Sequence, residues 1–409
     1  MDYPKLRYIE AFPVEMDNLT RIYIRDPLNY AKTPLLLPAP TYFIISHFDG
    51  QHSLVDIQEA FARQFQQVLP HEKINDLIQQ LDQYHYLESE RFAALRHEIH
   101  EAFFRSPVRD MAHADTCYSS RPDVFAEQTA AFFREPQGPG LPHAEQVSAP
   151  PIRGLIAPHI DLRVGGTAYA YGYKELAERC DADLFILLGT SHYGMENLFV
   201  ATEKDYNTPL GSVKTDREFI RALQERYSED LFADELLHRT EHSLEFQALF
   251  LQYVFGNSRP FTIVPLLISS FHHMVISKTP PVEVPRVAAF LDALKATVAE
   301  SSKKVCFVAG VDFAHVGQKF GDEGPLTDAF LNWVANEDHR LIQALESVDH
   351  ADFFAQIAKD NDRRRVCGFA PMYTFLHLVE AKAGKLLKYD RSIDPATQSS
   401  VSFASMAFY

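Results

Sequence analysis

The sequence predicts an α/β protein: a mixed sheet covered by helices on both faces, preceded by a small winged-helix-like domain. Three observations support this fold class. The chain has 409 residues, which favours more than one domain. After about residue 105, apolar strand-like runs alternate with helical patterns. Before residue 105, the sequence predicts short amphipathic helices separated by turns. We therefore predict domains at residues 1–105 and 106–409.

The N-terminal region predicts a compact helical unit. Ser53 is a good N-cap, and Leu54, Ile57 and Phe61 follow it at helical spacing. A second helix follows around LIQQL, and a third is expected at about residues 89–104. The segment HFDG before Ser53 predicts a turn, and QYHYLESERF alternates as a short strand or hairpin would. The expected order of strand, turn, helix, helix and strand is typical of a winged helix.

In the second region, several hydrophobic runs end abruptly in a potential metal ligand. LIAPHID contains His159, LFILLGTSHYG contains His192, and VCFVAGVDFAHVG contains Asp312 and His315. The apolar parts predict buried strands, and ligands of open α/β sheets bind beyond the carboxyl ends of the strands. A lone histidine at a strand end is usually an ordinary hydrogen-bonded residue. Three in separate strand units favour a metal site, because neutral imidazole is the commonest metal ligand.

Two further segments add candidates to this site. Cys367, in RRRVCGFAP, lies between arginines and a predicted helix, where a low thiol pKa is expected; it or a carboxylate would complete the ligand set. Asp312 is expected to orient His315 or a ligand by a hydrogen bond. Glu241 and His242 begin a strong helix, and the sequence fits either a substrate or ligand-supporting role or simple helix capping.

Composition excludes several function classes. The net charge of −16 argues against a nucleic-acid partner, because binding phosphates requires a basic surface. The apolar runs, such as TIVPLLIS, are shorter than the ~20 residues of a membrane span. The first residues lack the cationic and apolar stretches of a signal peptide. We therefore expect a cytoplasmic protein with neither a nucleic-acid nor a membrane partner.

Five ordered motifs carry a family resemblance: APHID, GTSHYG, TEHSLEFQALFLQ, DFAHVG and VCGFAP. Over roughly residues 106–409 the chain resembles the Memo family, and within it protein B of the AmmeMemoRadiSam system. The resemblance implies a fold similar to class III extradiol dioxygenases, which use Fe(II). It implies His159, His192 and Cys367 as metal ligands, His315 as the acid–base group and Asp312 close by. Fe(II) is the expected metal and Cu the alternative.

The resemblance also implies partners and a type of substrate. A radical-SAM protein and an AMMECR-type protein belong to the same system, and the metal would act on a small, phenolic molecule. The N-terminal segment FIISHFDGQHSLVDIQEAF resembles PqqD-like winged-helix domains, which implies a peptide or protein ligand. One departure concerns the segment after the first motif, where the family usually has AGYxYSG. Here IDLRVGG places Asp161 and Arg163 beside the first ligand and leaves the substrate open.

The leading hypothesis is a mononuclear non-heme metal redox enzyme of dioxygenase type. A second hypothesis is a non-catalytic, metal-binding adaptor that scaffolds partner proteins. A third is a metal-dependent hydrolase, which predicts zinc and no consumption of O₂.

Overall fold

A computed structural model describes residues 1–16, 19–134, 136–143, 151–256 and 258–409. The strands among these residues are β1 Glu10–Met16, β2 Leu19–Arg25, β3 Leu35–Pro38, β4 Val108–Arg109, β5 Gly154–Ala157, β6 Leu184–Thr190, β7 Phe199–Ala201, β8 Asp205–Thr208, β9 Gly211–Thr215, β10 Thr262–Ile268, β11 Val305–Gly310, β12 His315–Gly317, β13 Gly384–Asp394 and β14 Ser399–Phe408.

The α-helices of the same residues are α1 Ala39–Ile45, α2 Leu54–Phe65, α3 His71–Gln83, α4 Glu90–Arg105, α5 Pro122–Arg134, α6 Leu162–Arg179, α7 Arg217–Arg226, α8 His242–Phe255, α9 His272–Ser277, α10 Pro285–Glu300, α11 Asp328–Glu346, α12 His350–Ala358 and α13 Phe369–Leu378. None of these described helices has the length and apolar character needed to cross a bilayer.

The chain divides into two compact units. The first comprises Met1–Arg105 together with Gly317–Glu323 and Asp394–Ser399, and the second comprises the remaining residues. Apart from these two short returning segments, the division falls at the boundary between residues 105 and 106.

In its described residues, the first unit combines a three-stranded antiparallel sheet, β1-β2-β3, with the helices α1 to α4. Helix α2 begins as expected at Ser53, whose hydroxyl accepts from the Asp56 N–H while the Asp56 carboxylate accepts from the Ser53 N–H. Ile57 and Ile74 are fully buried in one apolar core. The helices α2 and α3 therefore form as their hydrophobic spacing predicted.

The element order expected for this unit is wrong in two places. Helix α1 lies where a strand was expected before the HFDG turn, because Pro40 in its first turn has the fixed φ that a helix start requires. After α3 there is an isolated bridge between Leu6 and Leu87 and not a strand or hairpin. The strands β1 to β3 precede the helices. The winged-helix and PqqD-like resemblance stays a prediction.

The second unit is built on a large mixed sheet with the strand order β12-β14-β5-β11-β6-β10-β9-β8-β4; β13 pairs with β14 and β7 with β10. The neighbours β5, β11, β6 and β10 are parallel, and β14 runs antiparallel to β5. Along β6, Ile186 faces one buried core and Leu187 faces another, so helices cover both faces. The predicted fold class is confirmed.

The central parallel strands end at one edge of this sheet. β5 ends at Ala157, β6 at Thr190 and β11 at Gly310. Each strand is apolar and almost entirely buried, as their sequences predicted. The carboxyl ends of β5, β11 and β6 are adjacent, so the residues that follow them are brought to a single edge.

Candidate metal centre

Three histidines meet at the carboxyl edge of the sheet. One ring nitrogen each of His159, His192 and His242 lies within 4.8 Å of the other two. The ring centroids are 4.9 Å apart for His159 and His192, 5.2 Å for His159 and His242, and 4.7 Å for His192 and His242. His159 is buried, His242 is half-buried and His192 is exposed, so the cluster is open on one side.

The start of helix α8 is hydrogen-bonded to the ends of two strands. These bonds explain how His242, on a helix, comes to lie beside His159 and His192, which follow strands. Ser243 Oγ donates to the carbonyl of Thr190, the last residue of β6, at 2.9 Å. Gln247 Nε2 donates at 2.8 Å to the carbonyl of Pro158, just after β5. These contacts place His242 beside His159 and His192.

Glycines at two strand ends permit this close approach. A Cβ on Gly189 would lie 2.5 Å from Ser243 Oγ, and one on Gly310 would collide with the Ser243 carbonyl oxygen and lie 2.7 Å from Gln247 Nε2. Only a residue without a side chain leaves room here for the helix. Strand-end glycines are thus part of how the site is built.

The ring of His159 is oriented by the backbone. Its Nδ1 lies 3.0 Å from the carbonyl oxygen of Gly310, where an N–H at Nδ1 donates and leaves Nε2 as the ligand atom. Burial, then the neighbouring His192 and His242, lower the pKa of His159 well below its usual value. A neutral imidazole, which metal binding requires, is therefore the form that this environment favours.

Glu241 supports the other two histidines. Its Oε1 lies 3.0 Å from Nδ1 of His192 and 3.2 Å from Nδ1 of His242, while Oε2 accepts from the His192 backbone N–H at 3.0 Å. It also caps α8 by accepting from the N–H groups of His242 and Ser243. Burial alone would raise the pKa of Glu241, but the two histidines hold it well below its usual value. Helix capping, one of the two roles left open by the sequence, is therefore observed, and the same carboxylate also contacts two of the candidate ligands.

Asp312 and Cys367 lie beside His159. The Cys367 Sγ is 3.2 Å from Nε2 of His159, and the Asp312 Oδ2 is 3.6 Å from the same atom. Asp312 Oδ1 accepts from the His159 N–H at 3.0 Å. Burial raises the pKa of Asp312 to about 7, although the N–H groups of His159 and Ile160 oppose this shift. Both side chains are therefore within reach of a metal or substrate held by the three rings.

The expectation of a low thiol pKa for Cys367 is wrong. Burial, and then the charge of Asp312, raise the pKa of this thiol well above its usual value. The arginines before it have other partners: Arg364 pairs with Asp338 at 2.7 Å, and Arg365 donates to the His315 carbonyl. Desolvation therefore outweighs the nearby positive charge that the sequence suggested.

Two candidates from the sequence remain: His315, which follows strand β11, and Asp161, which follows strand β5. His315 begins β12, with its Nδ1 3.1 Å from the Phe313 carbonyl. Asp161 caps helix α6 and pairs with Arg163 through Nε at 2.9 Å. The acid–base role of His315 and the substrate role of Asp161 stay predictions.

A buried ion pair behind the histidines was missed in the sequence. Arg109 donates to the carbonyls of His238 and Glu241 at 2.9 Å each and pairs with Glu245, which also accepts from the Tyr118 hydroxyl. Arg109 and Glu245 are both 1% exposed. Arg109 is the last residue of the short strand β4, far from α8 in sequence, so no local pattern predicts the pairing. It fixes the turn that carries Glu241 and His242.

This fold and site define a class: an α/β protein with a three-histidine candidate metal centre at the carboxyl edge of a mixed sheet. The family profile described as Memo-like protein matches residues 109–407. The chain belongs to this family, and the resemblance seen in the five motifs is confirmed.

Relatives support the same assignment. A MEMO1 family protein of Aquifex aeolicus is 30% identical over 410 residues, covering 99% of this chain and 100% of the relative. One from Methanopyrus kandleri is 29% identical over 311 residues, covering 73% of this chain and 98% of the relative. One from Thermotoga neapolitana is 27% identical and covers 70% of this chain and 94% of its own length. The similarity to the Aquifex protein thus extends through the N-terminal region.

Proposed function

We propose that this protein is a mononuclear non-heme metal redox enzyme, dioxygenase-like, that acts on a small phenolic substrate within an AmmeMemoRadiSam-type system. The observation that carries the proposal is the orientation of the three imidazoles. Nδ1 of His159 is held by the Gly310 carbonyl, and Nδ1 of His192 and of His242 by Glu241. A metal would then take Nε2 from each ring, an arrangement typical of metal-binding histidines.

The donor set fits iron or copper. Imidazole binds iron, copper and zinc alike, and a sulfur ligand such as Cys367 next to His159 also suits copper or zinc. A bound iron or copper ion would supply one-electron and O₂ chemistry. Fe(II) is the first metal to test, and Cu is the second. The exposed side of His192 leaves a route by which a substrate can enter.

Asp312 and His315 are the groups proposed to move protons. Asp312 Oδ2 lies 3.6 Å from Nε2 of His159, the nitrogen that would bind the metal, so Asp312 is placed to exchange a proton with a substrate in this pocket. His315 follows Asp312 by three residues. A positioned acid–base group typically contributes ~10²–10⁴-fold to a rate. Replacing His315 with alanine should therefore retain the metal and lose turnover.

The test is elemental analysis of protein purified anaerobically, followed by O₂ uptake with catechol as the probe. About one iron or copper per chain is expected. The variants His159→Ala, His192→Ala and His242→Ala should each lose stoichiometric metal, and Cys367→Ser should weaken binding. His273→Ala, an exposed histidine of the same unit, is the matched control and should retain the metal.

Three outcomes would contradict the proposal. Full metal occupancy in the ligand variants would mean that these histidines do not bind it. Zinc without O₂ uptake would favour the hydrolase. A protein without metal, even after anaerobic addition of Fe(II), would favour the adaptor.

The adaptor alternative has two supporting observations. The N-terminal unit has its own buried core, and the Aquifex relative aligns over the whole chain, including this unit. A peptide, a radical-SAM protein or an AMMECR-type protein is the proposed partner. Pull-down with His192→Ala separates the two roles, because an adaptor should keep its partners when the metal is lost.

A further inference from the structure

A second candidate site lies where the sequence departs from the family motif. A cavity of about 600 Å³ is formed by the 115–119 loop, helix α5 and the first turn of α6. We call it the Cys117 cavity. This volume is within the ~300–1,000 Å³ range of small-molecule sites. Its wall includes Arg163, from the departing segment IDLRVGG, and none of the three clustered histidines.

The wall of the cavity is mainly apolar and aromatic, with Tyr118, Val124, Phe125, Phe132 and Leu162 among its residues. Gly166 in α6 permits this geometry, because a Cβ there would collide with the ring of Phe132. Gly166, the second glycine of IDLRVGG, thus lets α5 approach α6 and places Phe132 at the cavity. Aromatic walls favour a flat, apolar ligand body.

The charged groups at the cavity are already paired within the protein. The guanidinium of Arg163 binds the Asp161 carboxylate through Nε, and burial, then the charge of Asp161, raise the pKa of the Cys117 thiol to about 12. The Asp115 carboxylate accepts from the Ser120 N–H at 2.9 Å. A charged ligand would have to break one of these pairs, whereas an uncharged ligand would leave both intact.

Two polar side chains of the wall have identified partners, and one of them, the exposed Gln128, still has groups that can donate. Thr129 Oγ1 donates to the Phe125 carbonyl at 2.8 Å. The Gln128 Oε1 accepts from the Ser119 N–H at 3.2 Å, which leaves the Gln128 amide N–H groups to donate. A ligand recognised here would therefore offer an acceptor, such as a hydroxyl or carbonyl oxygen.

We propose that the Cys117 cavity binds a small, uncharged aromatic molecule that carries a hydrogen-bond acceptor. Binding does not depend on a metal, and it is tested on metal-free protein. Failure of this proposal therefore leaves the proposed function untouched, and the reverse holds too. The cavity and the histidine cluster are linked through Tyr118, which lines the cavity and donates to Glu245 behind His242.

The experiment follows modification of Cys117 by methyl methanethiosulfonate, using peptide mass spectrometry. Three probes of the same shape compete: benzyl alcohol, benzoate and benzylammonium. Benzyl alcohol should slow the modification at a concentration about two- to fivefold below that needed for either charged probe, since disturbing an exposed ion pair costs about 0.5–1 kcal/mol. Cys180 and Cys306 are buried and serve as internal references.

A filled cavity provides the matched variant. Ala131→Phe places a ring in the cavity and should abolish protection by benzyl alcohol, while Asp123→Phe, at an exposed residue on the face of α5 opposite the cavity-lining residues, should not. Thermal unfolding of both variants checks that they fold. No protection by any probe, or protection that survives Ala131→Phe, would overturn the proposal. Strongest protection by benzoate, lost in Arg163→Gln, would show an anion site and also overturn it.

Discussion

Glu241 holds His192 through both of its carboxylate oxygens: Oε1 lies 3.0 Å from the ring Nδ1, and Oε2 accepts from the backbone N–H at 3.0 Å. This pairing joins the start of a helix to the residue two positions beyond a buried strand. The same Oε1 lies 3.2 Å from Nδ1 of His242, so one buried carboxylate orients two of the three rings. Its position explains why the cluster has a defined geometry.

Replacing Glu241 with glutamine should weaken metal binding about 10–100-fold, the usual effect of losing a carboxylate behind a ligating histidine. Glutamine keeps the shape but removes the charge and one of the two acceptor oxygens. Iron or copper affinity, measured by competition with a chelator, provides the readout. Glu178→Gln, a buried glutamate that accepts from the His143 N–H, is the control and should keep wild-type affinity. Equal affinities in the two variants would contradict the role given to Glu241.

Gly310→Ala should destabilise the protein by about 1–3 kcal/mol, the usual cost of an overpacked core. The added Cβ would collide with the Ser243 carbonyl and lie 2.7 Å from Gln247 Nε2, so helix α8 must move. Urea unfolding gives the stability change, and the chelator assay should also show weaker metal binding because His242 moves with α8. Gly194→Ala is the matched control, since a Cβ there has nothing within 4 Å. Equal unfolding midpoints would contradict this account.

The sequence predicted the part of the site that local pattern encodes. His159 and His192 each follow an apolar run by two residues, so their convergence follows from parallel strands alone. His242 lies on a helix, and its place in the cluster depends on tertiary contacts of Ser243 and Gln247 with the strand ends. The spacing of hydrophobic residues gives no information about such contacts. A helix-capping role also explained Glu241 and His242 equally well.

The thiol pKa of Cys367 also depends on tertiary structure that the sequence does not show. The neighbouring arginines are visible in the sequence, but their partners are not, and nor is the desolvation that raises the thiol pKa. In the N-terminal unit, the apolar residues of α1 fit either a strand or a helix, and the proline in its first turn decides between them. Long periodic helices such as α8 and buried strands such as β6 were predictable because their own residues specify them.

Arg109→Met should destabilise the protein by about 3–5 kcal/mol, because it leaves Glu245 as an uncompensated buried charge. The double variant Arg109→Met with Glu245→Gln should recover about 2 kcal/mol of this loss by removing that charge. Urea unfolding measures both. Arg121→Met is the control: its pair with Asp123 is exposed and should contribute less than about 0.5 kcal/mol. No recovery in the double variant would mean that Arg109 acts through the carbonyls of His238 and Glu241 alone.

The free energy of unfolding should decrease as the pH is lowered below 6.5, and His238 should account for part of this decrease. This ring is fully buried, with the Tyr206 hydroxyl 2.9 Å from Nδ1 and the Val200 carbonyl 3.2 Å from Nε2. Burial, opposed in part by the Val200 hydrogen bond, lowers the pKa of His238 from 6.5 to about 3. As the pH falls below 6.5, the unfolded chain therefore takes up this proton before the folded protein does.

The sign follows directly: proton uptake by the unfolded chain favours unfolding, so His238 costs up to about 1.4 kcal/mol for each pH unit below 6.5 until the folded pKa is reached. His238→Gln keeps a donor and an acceptor but cannot titrate, so its stability should fall less steeply with acid by about that slope. His273→Gln, at an exposed histidine, should keep the wild-type slope. Urea unfolding at several pH values between 4 and 7 provides the comparison. Parallel curves for the wild type and His238→Gln would mean that His238 is protonated in the folded protein, which its two buried hydrogen bonds oppose, because Nδ1 must then give up the Tyr206 hydroxyl as a donor.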